Sequence, residues 1–139
     1  MEKKLKHLDM IESVIQRMGN NSFQLKGWAV TLVAIIGGLS SQGDDKRFFI
    51  IAFIPLIAFW VLDSYYLQLE RKYKIMYRNV ACKDENQIDF NMDTNNIEYN
   101  NDDNERVCFW NCLFSATEYT FYLIIAGAVG LLAVVLLTS

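Results

Sequence analysis

The chain has 139 residues, 53% of them hydrophobic, and a formal net charge of −3 from 13 basic and 16 acidic side chains. That balance carries none of the global positive charge of a protein that coats nucleic acid, and although Cys108 and Cys112 share a helix face, no further Cys or His is expected beside them to complete a zinc set, His7 being the only histidine. The averages conceal a segregation, because charge-free apolar runs alternate with very polar segments.

Residues 1–22 read as a cytoplasmic amphipathic helix. Leu5, Leu8, Ile11, Ile15, Met18, Ser22 and Leu25 recur at steps of three and four, which places them on one helical face. This stripe is expected to pack both on the chain's own middle segment and on copies of itself, as a short coiled-coil seam. Gly19-Asn20-Asn21-Ser22 either ends the helix above a bilayer or lies within a longer helix that enters it.

Three charge-free apolar runs follow, at 27–43, 48–62 and 119–139. Crossing a ~30 Å hydrocarbon core takes roughly 17–25 helical residues. The third run meets that alone. The first two meet it if Lys26 snorkels and the tyrosines beyond Asp63 sit at the interface. The expected architecture is an all-α membrane protein of three transmembrane helices. Its parts are a helix at 1–22, a transmembrane hairpin at 23–66, a cytoplasmic segment at 67–118 and a third span at 119–139. Pro55 lies within the second run, where a membrane helix tolerates it better than a soluble one.

Orientation follows from the basic residues. Lys3, Lys4, Lys6, Arg17 and Lys26 precede the first run, and Arg71, Lys72, Lys74, Arg78, Lys83 and Arg106 separate the second from the third. The short loop between runs one and two has only Lys46 and Arg47, beside Asp44 and Asp45. Basic residues stay inside, so the N-terminus and the middle segment are expected in the cytoplasm and the C-terminus outside. A cleaved signal peptide fits badly, because the first apolar run starts late and lacks a small-residue cleavage pattern.

Within the middle segment, 67–82 reads as a basic helix continuing the second span. Residues 83–105 hold eight acids and seven asparagines, a composition that suggests disorder. Ile88, Phe90 and Met92 nevertheless alternate with polar residues, as do Ile97 and Tyr99, around the turn-prone Asp93-Thr94-Asn95-Asn96. A small β-hairpin is the expected outcome. Residues 107–115 then read as an interfacial helix carrying Trp110 and Phe114.

Few residues suggest chemistry. Asp89, Asn91 and Asp93 have the alternate spacing of a calcium loop, but Thr94 stands where glycine is needed and Asn100 where a bidentate glutamate is needed. Cys82, Cys108 and Cys112 read as small buried thiols on the reducing side. No phosphate loop or catalytic triad is present, so the chain reads as a non-enzyme with no cofactor. Asp63 has two readings: an interfacial aspartate paired with Lys26, or a pore carboxylate. Thr31, Ala34 and Gly38 share a face that permits close helix approach or, in an oligomer, lines a narrow pore with Trp28 nearby. Arg71, Lys72, Lys74 and Arg78 form a basic patch with Tyr73 and Tyr77. Repeated around an oligomer axis, it would attract anionic lipid, nucleotide or nucleic acid, with the tyrosines stacking on bases.

Several motifs resemble a group of short bacterial membrane proteins. They are Asn21-Ser22-Phe23-Gln24-Leu25-Lys26-Gly27-Trp28, Phe59-Trp60-Val61-Leu62-Asp63-Ser64-Tyr65-Tyr66-Leu67, Asp89-Phe90-Asn91-Met92-Asp93-Thr94 and Leu113-Phe114-Ser115-Ala116-Thr117. The group resembles small transmembrane effectors of antiphage defence, of which the Hailong-type membrane effectors are the nearest in kind. The resemblance implies an inner-membrane channel and a nucleotidyltransferase partner whose single-stranded DNA product holds the channel shut. Three helices cannot enclose an aqueous path, so a channel requires a cyclic homo-oligomer, such as a tetramer, within the lipid bilayer. The alternative expectation is a non-conducting anchor or assembly subunit of a larger complex.

Overall fold

The computed structural model describes every residue except 44–46, and only the backbone of Phe48 and Phe49. The expectation for the loop carrying Asp44, Asp45 and Lys46 therefore lies outside the described residues. The described chain is helical: α1 (Glu2–Gln42), α2 (Phe48–Ile51), α3 (Phe53–Cys82), α4 (Asn101–Arg106), α5 (Phe109–Leu113) and α6 (Ala116–Thr138), with 3₁₀ turns at Glu85–Gln87 and Thr94–Asn96. It forms two compact units, one from residues 1–22 and 65–112 and the other from 23–64 and 113–139.

Helix α1 runs through Gly19-Asn20-Asn21-Ser22 without a break. In the first unit Leu8, Ile11 and Ile15 of its apolar stripe pack on the chain's own middle segment as the spacing predicts, whereas Leu5, counted on the same face, is exposed. Ile11, fully buried, meets Met76 and Val80 of α3, and Leu8, Ile15 and Tyr73 close around them. Ile88, Met92 and Ile97 cap this cluster from the connecting segment.

The expected β-hairpin is not formed; among the described residues there is no strand. The apolar alternation is real, but it serves a different purpose. It turns Ile88, Met92 and Ile97 toward the α1–α3 helix pair while the backbone hydrogen bonds are diverted locally. Asp89, Asn91 and Asp93 each accept, through a side-chain oxygen, the backbone N–H two residues on, at 3.2, 2.9 and 2.9 Å. Such Asx turns compete with a strand ladder for the same donors. The N–H of Asn91 also holds the Asp89 carboxyl below the usual carboxylate range. Phe90 adopts a left-handed φ of 54°, uncommon for a bulky residue, and its ring lies 5.5 Å from that of His7.

In the second unit the run at 48–62 is divided. A turn at Ala52 separates α2 from α3, and Pro55 explains it: the ring nitrogen has no hydrogen to donate to the carbonyl of Ile51. Two clusters hold this unit together. Ala29, Leu56 and Tyr122 are buried with Trp60, Phe121 and Ile125 around them, and Ala52 and Val129 are buried beside Val33 and Ile36. Trp60 donates from Nε1 to the Leu113 carbonyl at 3.1 Å and stacks near Tyr122, with ring centroids 6.3 Å apart. The exposed surface is strongly apolar, including Phe23, Ile35, Leu39, Ile54, Leu123 and Leu131. Two helices, α1 and α6, are long and apolar enough to cross a membrane.

Ile11→Ala should destabilise the first unit by about 2–5 kcal/mol, the usual cost of emptying a buried large aliphatic site. Leu5→Ala, on the exposed side of the same helix, should change stability by less than about 0.5 kcal/mol. Chemical unfolding followed by circular dichroism checks both.

Candidate functional site

The basic patch predicted from the sequence is partly assembled. At 100° per residue, positions 71, 74, 75 and 78 share one side of α3, whereas 72, 73 and 77 point elsewhere. Arg71, Lys74 and Arg78 accordingly line one cavity of about 350 Å³, together with Ile75, Asp103 and Arg106. Arg71 donates from Nη1 to the Arg106 carbonyl at 2.9 Å. Lys74 pairs with Glu70 at 3.1 Å, an exposed contact of little energetic weight. Arg78 forms a close ion pair with Asp103, which is buried. Its guanidinium holds the Asp103 carboxyl below the usual carboxylate range, and Asp103 in turn raises Arg78. The backbone N–H of Asn100 donates to the same carboxylate at 3.3 Å, tying the start of α4 to the site.

Lys72, Tyr73 and Tyr77 do not line this cavity. The Tyr73 hydroxyl donates to the Met92 carbonyl at 3.4 Å and its ring packs on the Ile11 cluster, so it is committed to folding. Tyr77 is exposed. Arg106 and Asp103 are members of the site that sequence reasoning missed. Arg106 reads in one dimension only as a topology charge, and nothing local relates α4 to a helix some 30 residues earlier in the chain.

The second unit holds a buried polar cluster. Lys26 Nζ donates to Asp63 Oδ2 at 2.5 Å and to Glu118 Oε1 at 2.9 Å. The Tyr122 hydroxyl donates to the same Asp63 oxygen at 3.0 Å, and Lys26 sits 5.8 Å from the Phe121 ring centroid. Asp63 and Glu118 are thus brought together on one ammonium group. Asp63 is 0% and Glu118 2% exposed, and Glu118 Oε2 has no hydrogen-bond partner. The arrangement is inverted relative to a soluble domain, with charge inside and Leu39, 68% exposed, on the outside.

Of the three pore candidates, only Asp63 enters this cluster. Trp28 is 61% exposed, and exposed Thr31 donates to the Gly27 carbonyl at 2.8 Å. The Lys26–Asp63 pairing is the one suggested by their positions at the ends of adjacent apolar runs. Glu118 and Tyr122 were missed. The available signal was that Glu118 borders the third run as Lys26 and Asp63 border the first and second.

The calcium-like residues Asp89, Asn91 and Asp93 spend side-chain oxygens on their own backbone. Among the described residues no group of three or more metal-ligating His, Cys, Asp or Glu side chains occurs. No family model, no curated protein and no solved structure matches the chain.

Because Asp103 titrates lower when folded, its contribution to stability is complete above about pH 4, the ordinary carboxylate value. It is lost as the pH falls and Asp103 takes up its proton. Asp103→Asn should remove that acid-side slope from unfolding midpoints measured against pH. Lys26→Met should cost about 3–5 kcal/mol by leaving buried carboxylates without their cation, seen as a lower thermal unfolding midpoint in detergent.

Proposed function

We propose that the chain is an oligomeric bacterial inner-membrane effector that forms a ligand-gated ion channel in antiphage defence. Control comes from an anionic nucleotide or oligonucleotide at the basic cavity of the first unit. The observation that carries this reading is the convergence of Arg71, Lys74, Arg78 and Arg106 on one cavity, in a chain whose other unit buries charge and exposes apolar side chains. In this reading α1, α6 and the α2–α3 run each cross the bilayer, the first unit is cytoplasmic and the C-terminus is outside. A nucleotidyltransferase supplies the ligand, a short single-stranded DNA.

Oligomerisation has support of its own. An added Cβ at Gly27, Gly38, Gly127 or Gly130 would meet nothing within 4 Å. These small faces are therefore not consumed by packing within one chain, and they allow close approach of helices from other copies. The closed and open assemblies must bind the ligand with different affinity for it to gate.

A non-conducting anchor subunit is the second reading. It is favoured by the carboxylate partners that Lys74 and Arg78 already have, since a structural ion pair needs no ligand.

Conductance across planar bilayers, with and without short single-stranded DNA, separates the two. Discrete current steps that DNA suppresses support the channel. Silent bilayers with inserted protein support the anchor. In the channel case, combined Lys74→Ala, Arg78→Ala and Arg106→Ala should weaken DNA binding and lower the salt slope by about 2, at ~0.7 per lost phosphate contact on a single strand. Lys72→Ala, outside the cavity, is the comparison. Unchanged affinity and slope in the triple variant would remove this cavity as the binding site.

A further inference from the structure

We propose that Asp63 and Glu118 hold one exchangeable proton between them, so that the buried cluster of the second unit is a proton-binding site. The reason is a charge count around two buried carboxyl groups. Among the described residues of the second unit, the titratable and charged groups that meet there are Lys26 from α1, Asp63 from α3, and Glu118 and Tyr122 from α6; α2 contributes none. One ammonium faces two carboxyl groups. With both ionised, the cluster carries an uncompensated negative charge in apolar surroundings, which proteins avoid.

The hydrogen bonds indicate where the proton resides. Asp63 Oδ2 accepts from both the Lys26 ammonium and the Tyr122 hydroxyl, and that pair of donors favours its ionised form. Glu118 has one oxygen on Lys26, while its other oxygen is buried with no donor. A proton placed on Glu118 removes the excess charge and gives the orphaned oxygen a hydrogen to donate. Asp63, held on the same ammonium, is the neighbouring carboxyl with which that proton is shared. The cluster is then neutral overall, with ammonium, carboxylate, carboxylic acid and phenol all present. A metal cation would balance the same charge, but it would have to sit beside an ammonium placed 2.5 and 2.9 Å from the carboxylates. The proton is the ligand that fits. This inference does not depend on whether the protein conducts.

Infrared spectroscopy of the full chain in lipid vesicles tests it directly, because a protonated carboxylic acid has its own carbonyl stretch. Wild-type protein at neutral pH should show that band, shifted in heavy water and lost at alkaline pH. Glu118→Gln should lose it. Asp63→Asn should also lose it, because Lys26 then has only one carboxylate to balance. A glutamic acid protonated merely through burial would keep its band in Asp63→Asn, and that result would overturn the shared site. Absence of the band in wild type at neutral pH, where exposed carboxylates are ionised, would overturn the proposal outright. So would a band that emerges only when sodium is replaced by choline, since a metal ion would then hold the place assigned to the proton. The wild-type measurements decide the matter even if a variant fails to fold, and Glu118→Gln preserves the shape of the side chain.

Discussion

One ammonium group serving two buried carboxylates is the constraint on which the second unit depends. Lys26, Asp63 and Glu118 come from three different helices. Apolar packing alone gives helices in lipid little reason to prefer one register, because acyl chains offer equally good apolar contact. A charge that must find its partner does supply that reason. The clusters around Leu56 and Val129 are apolar contacts without direction, whereas the Lys26 contacts join particular atoms. Tyr122 links the two kinds of interaction, with its ring in the Leu56 cluster and its hydroxyl on Asp63.

The first unit follows the opposite logic. Ile11, Met76 and Val80 are buried, and the polar connecting segment covers them by satisfying its own backbone with Asp and Asn side chains. Its basic face is a consequence of helix geometry. Three cations of α3 share a side, and Asp103 from α4 restrains one of them. The internal carboxylate of Asp103 already balances Arg78. α1 and α3 contribute residues to both units.

Much of this was legible in one dimension. The three- and four-residue spacing of Leu8, Ile11 and Ile15 announced a buried helix face. The charge-free runs at 27–43 and 119–139 announced helices long and apolar enough to cross a membrane, whereas the run at 48–62 is divided at Ala52. The proximity of Lys26 and Asp63 to the ends of adjacent runs announced their pairing. Residues 88–97 were misread as a hairpin because alternation describes which side chains face inward, not where the backbone hydrogen bonds go. The basic patch was legible only in part, since Tyr73 and Tyr77 stand beside the right residues in sequence but on another side of the helix.

By itself the sequence determined the helical character of the long apolar runs, the segregation of charge from apolar length, and the burial of Leu8, Ile11 and Ile15 on one face of α1, because each is a local periodicity or a local composition. Only the tertiary structure decided that Glu118 shares Lys26 with Asp63, that Arg106 and Asp103 join the face of Arg71, Lys74 and Arg78, and that Ile88, Met92 and Ile97 cap a helix pair. The physical reason is common to all three. Each depends on groups distant along the chain meeting in one place, and the free energy that selects such a meeting, an ion pair or the closing of an apolar cluster, leaves no periodicity in the segments that supply it.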